Sequence, residues 1–152
     1  MKAKSKRSQS GFSYIEVLLA IFLVVTSATI VLSTMPISTS SRIKADYLNR
    51  ATSMAQKQLE AIRGRGYQNA TVSQLLTAGL IDTTTPVATN TYPFTNSDNA
   101  ALDNPSAILP QGTGTVKIDQ VSLDLRQVIV KVNWVDRGTT RTVTLGTLIA
   151  NL

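Results

Sequence analysis

The sequence predicts an α+β fold: a long N-terminal helix, membrane-spanning in its first half, packed on a small antiparallel sheet of three to four strands. Three observations predict it. An apolar run begins at Val17 and meets no charged residue before Arg42. An amphipathic stripe then recurs at Leu48, Ala51, Ala55, Leu59 and Ile62, the spacing of one helix face. Towards the C-terminus, apolar residues alternate with polar ones at the two-residue period of strands.

Residues 1–11 form a basic leader. Lys2, Lys4, Lys6 and Arg7 precede Gly11, and no acid accompanies them. Residues 12–35 are the apolar helix. From Val17 to Met35 it covers roughly 29 Å, a full hydrocarbon core. A secretory signal peptide or a plain anchor is the competing reading. Secretory apolar regions, however, are about 7–15 residues long and end in a small-residue cleavage signal. Here Ser27-Ala28-Thr29 and Ser33-Thr34 lie within the run or at its end. The unusual residue is Glu16, a lone carboxylate at the mouth of the run. A charge there is costly to insert, so it needs a partner or a purpose. The alternative is that Glu16 only reaches the headgroup zone.

Residues 36–66 continue the helix. Pro36 predicts either a kink or a stop at the membrane face. The stripe beyond it favours continuation, with Arg50, Lys57, Glu60 and Arg63 on the opposite face. Gly64-Arg65-Gly66 closes the pattern. A helix from Phe12 to Arg63 would run roughly 78 Å, and only its first half can sit in lipid.

Residues 67–152 are read as an extracytoplasmic globular domain. Thr71–Ile81 predicts a short helix closed by Gly79. Residues 82–114 are rich in Thr, Asn, Pro and Ser and predict a long surface loop, with Tyr92 and Phe94 as its anchors. Strands are expected over residues 115–149. Val116, Ile118, Val121, Leu123 and Leu125 supply one or two. Val128, Val130, Val132 and Trp134 supply another. Asp136-Arg137-Gly138-Thr139 is a hairpin turn, and Arg141, Val143, Leu145 and Thr147 form its second arm. Trp134 is read as core.

The leader, Gly11-Phe12-Ser13-Tyr14-Ile15-Glu16 and the apolar helix resemble the N-terminus of type IV pilins and type II secretion pseudopilins. The resemblance implies cleavage by a membrane peptidase after Gly11. It also implies methylation of the new N-terminal Phe12, and an assembly role for Glu16 as the fifth residue of the mature chain. Ser13-Tyr14 departs from the family's usual Thr-Leu. Pro36 resembles the family's helix proline, which marks a kink or melted stretch in the filament. Ala51–Glu60, Val130–Trp134 and Thr142–Leu145 are loosely similar to V-type minor pilins and the I-type minor pseudopilin. The family's C-terminal disulfide and the calcium loop of its major pseudopilin have no counterpart here.

A physical argument stands beside the resemblance. Cleavage after Gly11 creates an ammonium on Phe12. Buried together, ammonium and carboxylate cost much less than either alone. The two lie about 6 Å apart along one helix, so a neighbour's terminus could pair more closely and set register.

Net charge is +6 over 152 residues, but loss of the leader would bring it to +2. The basic balance therefore describes mostly the leader and is not read as nucleic-acid binding. It fits a leader held on the cytoplasmic side of a single-pass inner membrane. The chain has no His and no Cys. That removes the usual nucleophile–base pairs and disulfides, and no cofactor or metal is expected. Serine–lysine chemistry has no motif to place it. The chain is read as a structural subunit and not an enzyme. The expected partners are other pilin or pseudopilin subunits, the prepilin peptidase, the inner-membrane assembly machinery and the lipid bilayer. Two alternatives are kept. One is an adhesin-like or DNA-contacting subunit using Arg50, Arg63 and Arg65. The other is a non-assembling membrane-anchored protein.

Overall fold

The computed structural model describes residues 13–96 and 99–151. Eight elements follow in order: α1 Tyr14–Gly64, α2 Gly66–Asn69, α3 Val72–Thr77, β1 Thr91–Pro93, α4 Pro105–Ile108, β2 Thr113–Ser122, β3 Leu125–Asp136 and β4 Thr139–Ala150. The four strands form one antiparallel sheet in the order β1-β2-β3-β4. The α+β class and the upper strand count thus hold. The chain divides into two compact units, with the boundary between Arg42 and Ile43.

In the first unit, over Tyr14–Ser33, α1 is apolar on every side, and no described residue covers it. Ile15, Phe22, Val24 and Ile30 are each at least 65% exposed. Tyr14–Ser33 is long and apolar enough to cross a membrane, and none of it is buried. The helix runs uninterrupted through Pro36.

In the second unit the same element becomes one-sided. Ala51, Met54, Ala55, Gln58 and Ile62 are buried, whereas Arg50, Lys57, Glu60 and Arg63 are exposed. The stripe therefore differs from the expected one. Leu48 is 49% exposed and Leu59 only half-buried, while Met54 and Gln58 take core places. Apolar spacing alone hid the polar member. Gln58 is buried because its amide nitrogen donates to the Leu80 carbonyl. That bond satisfies a buried acceptor that would otherwise be costly.

Gly66, at φ +72°, turns the chain out of α1. The next closure is built on Gly79, at φ +64°. Its N–H donates to the Leu76 carbonyl at 2.9 Å, and the Leu80 N–H donates to Leu75 at 2.9 Å. This is a Schellman ending, and its accompanying apolar pair is Leu75 with Leu80, both buried. The predicted short helix is therefore present, two residues tighter than its closing glycine.

The stretch 82–114 is not a structureless loop. It carries β1 and α4, and β2 begins in it at Thr113. Propensity concealed β1 because it is three residues long and ends on Pro93. Asp82 organises the return. Its carboxylate accepts from the backbone N–H groups of Thr95 at 2.7 Å and Asn96 at 3.1 Å. Phe94 is buried, and its ring lies over Gly114. A Cβ on Gly114 would stand 2.5 Å from that ring, so the glycine makes the close approach possible. Tyr92 is half-buried against the core.

The sheet's inner face is Val116, Val128, Val130, Val132, Trp134 and Ile149, all buried in one cluster with the α1 stripe. Trp134 is 4% exposed, as its alternation required. The β3–β4 connection is a two-residue hairpin with Arg137 at φ +52° and Gly138 at φ +79°, the type I′ signature. β2 and β3 meet through a register shift between Gln120 and Ser122. Val121 and Leu123, expected within a strand, are 57% and 86% exposed: Val121 lies at that shift and Leu123 in the turn between β2 and β3.

Candidate functional site: an uncovered apolar helix with one carboxylate

Gly11 and Phe12, the expected processing positions, lie outside the described residues. The helix begins beside them. The Ser13 carbonyl accepts from the N–H groups of Glu16 at 2.9 Å and Val17 at 3.3 Å, which opens the first turn. Glu16 occupies that turn. A carboxylate there is favoured by the helix dipole. Ser13 and Glu16 have the spacing of a capping box, yet neither side chain closes it. Among the described residues the Glu16 carboxylate has no hydrogen-bond or ion-pair partner. The local reason for a helix is plain. The flanks are Leu, Ala, Ile and Val, and no glycine interrupts α1 before its last residue. Pro36 lies inside α1; its side chain is outside what is described.

The Ser and Thr hydroxyls within the span are satisfied internally. Thr26 donates to Phe22 and Leu23, Ser27 to Leu23, Thr29 to Val25 and Thr26, and Ser33 to Ile30, at 2.6–3.0 Å. Every acceptor is a backbone carbonyl three or four residues earlier. In hydrocarbon this removes the penalty of an unpaired hydroxyl. Glu16 is then the single group in Tyr14–Ser33 that carries a charge.

The second unit holds no comparable chemistry. Among the described residues no three His, Cys, Asp or Glu side chains cluster as metal ligands. The basic patch of the DNA-contacting alternative does not gather. Arg50 is engaged with Asp46 at 2.9 Å. Arg50 and Arg63 are thirteen residues apart on α1, about 20 Å along it and roughly 220° around it. Lys57 pairs with Asp103 at 2.8 Å across the surface.

Sequence reasoning missed one structural cation. The Arg126 guanidinium lies 4.4 Å from the Tyr67 ring centroid and donates to the carbonyls of Tyr67 at 2.8 Å and Ala70 at 3.0 Å. It caps the end of α2 while Tyr67 donates its hydroxyl proton to the Leu123 carbonyl. The one sequence signal was a charged residue at an inward position of the β3 alternation.

No protein-family model, curated protein or solved structure matches this chain.

Proposed function

We propose that the chain is a structural filament subunit, a minor pilin or pseudopilin, that is cut after Gly11 and assembles through its N-terminal helix. The observation that carries this reading is the uncovered helix Tyr14–Ser33 with Glu16 alone in its first turn, directly after Gly11-Phe12. A helix apolar on all sides needs lipid or other helices around it. A solitary carboxylate in it needs a cation, and the ammonium created on Phe12 of a neighbour has the right charge at the right depth. The leader stays cytoplasmic and the Ile43–Leu152 unit lies outside.

Intact mass and the N-terminal peptide test the reading. The mature chain is expected to begin at a methylated Phe12. A chain still starting at Met1 in cells that contain the peptidase would overturn it. Such a chain favours the second reading, a non-assembling single-pass anchor, which the same apolar helix supports.

A further inference from the structure

The two edges of the sheet are treated very differently. β1 is three residues long, ends on a proline and sits behind the turn at Asn90. β4 runs for twelve residues, Thr139–Ala150, and pairs with β3 without a break in register. It contains no proline, no lysine and no bulge, the devices that normally blunt an edge, and Arg141 is its one charge. Most of it is exposed. α2 reaches only its far end, where Gln68 donates to Asn151.

A cleft of about 240 Å³ opens at the near end of this edge, lined by Lys44, Leu48, Trp134, Asp136 and Arg141. Trp134 and Arg141 are cross-strand partners and share the inner face of the sheet. The cleft presents donors. Neither Lys44 nor Arg141 has an ion-pair partner among the described residues, and Asp136 is the one carboxylate beside them. The Trp134 indole N–H also lacks a protein partner there, although no buried polar side-chain atom is left unsatisfied. The indole nitrogen is therefore reached by solvent.

We propose that the β4 edge and this cleft form one docking site for an extended acidic segment of a partner protein. Backbone groups of the added strand pair with the free edge, and alternate side chains point to the inner face. The residue set opposite Arg141 then enters the cleft, where two cations outweigh one carboxylate and favour Glu or Asp. Its neighbours two and four residues away lie beside Val143 and Leu145, both half-buried at the margin of the core. Apolar side chains suit those places. The surface is built from residues of the Ile43–Leu152 unit and uses none of Tyr14–Ser33, so it does not rest on the filament reading.

The full chain in detergent tests this with a synthetic probe, acetyl-Thr-Val-Thr-Val-Thr-Val-Thr-Glu-Thr-amide. Paired antiparallel, its glutamate falls opposite Arg141. Trp134 is the chain's one tryptophan, so its emission reports on the cleft alone. The expected result is a saturable emission change with the glutamate peptide. A lysine peptide, or Arg141→Glu with the original peptide, should weaken it at least about tenfold, and pairing lysine peptide with Arg141→Glu should restore it. Methylating alternate peptide nitrogens on the pairing edge should abolish it, with no change to the protein. Binding indifferent to that methylation, or no emission change at millimolar peptide, overturns the proposal. So does concentration-dependent self-association that blocks β4 amide exchange without peptide, because the edge then serves a second copy.

Discussion

The helix α1 is apolar in both units, but its apolar side chains meet opposite fates. Over Tyr14–Ser33 they face outward on all sides; from Ala51 to Ile62 they are gathered on one face and sealed under a sheet. The same side chains thus serve two solvents. What separates them is not hydrophobicity but the interleaving of charge. Arg50, Lys57, Glu60 and Arg63 give the second half a polar side, and Tyr14–Ser33 has only Glu16. A helix learns its surroundings from where its charges are.

Substitutions can break that comparison. Trp134→Ala removes a ring that is 4% exposed and should cost about 3–5 kcal/mol. Leu18→Ala, 48% exposed in the first unit, should leave the melting of the Ile43–Leu152 unit within about 0.5 kcal/mol. Thermal melts of both variants in detergent check this. Equal effects would mean the two halves share one core.

Glu16→Gln sharpens the comparison from the other side. It should leave that melt unchanged and membrane insertion intact or improved. Recovery of partner subunits by crosslinking should fall by a factor of about a hundred or more, since a stranded buried charge costs about 3–5 kcal/mol. Wild-type recovery, with expression and cleavage equal, would remove Glu16 from the assembly mechanism.

Gln58→Ala tests the polar member of the buried stripe. The Leu80 carbonyl loses its donor, and the cost should be about 1–3 kcal/mol in a denaturant titration. An unaltered midpoint would show that water replaces the amide there.

The smallest effect concerns Asp119 on the exposed face of β2. Hydrogen bonds from Lys117 and then Asn90 hold its carboxyl below the ordinary aspartate value. A depressed folded value means a contribution present above the ordinary aspartate value and lost as pH falls through the depressed one. The pair lies at the surface, where solvent screens it, so stability should shift little. An NMR titration should place Asp119 low, and Lys117→Met should raise it. An Asp119 unchanged by that substitution would remove Lys117 as the cause.

Much of this was legible in the sequence, and for reasons that can be named. Strong periodicity revealed α1, the β3–β4 hairpin and the burial of Trp134, because each is long or carries an unambiguous turn. β1 was not legible. Three residues give no period, and its place comes from pairing with Val116 and its neighbours, far along the chain. Gln58 and Arg126 were hidden for a related reason. A polar residue is buried only when its partner arrives, and Leu80, Tyr67 and Ala70 come from distant turns. Leu48 shows the converse, an apolar residue on the right face that stays half exposed at the cleft beside Trp134. Of the candidate site, Glu16 was visible as an exception to its surroundings, whereas the hydroxyls' inward bonding depends on rotamers.

Those hydroxyls settle a question of selectivity. Thr26, Ser27, Thr29 and Ser33 spend their protons on their own backbone, so a helix laid alongside meets methyl and methylene groups where the sequence suggests polar handles. Such a surface is adhesive without being discriminating. It accepts any neighbour of suitable contour, and it slides. Choice of neighbour and depth of docking are therefore left to whatever breaks the monotony of the rod, and over Tyr14–Ser33 the only charged feature that does so is the acid in its first turn.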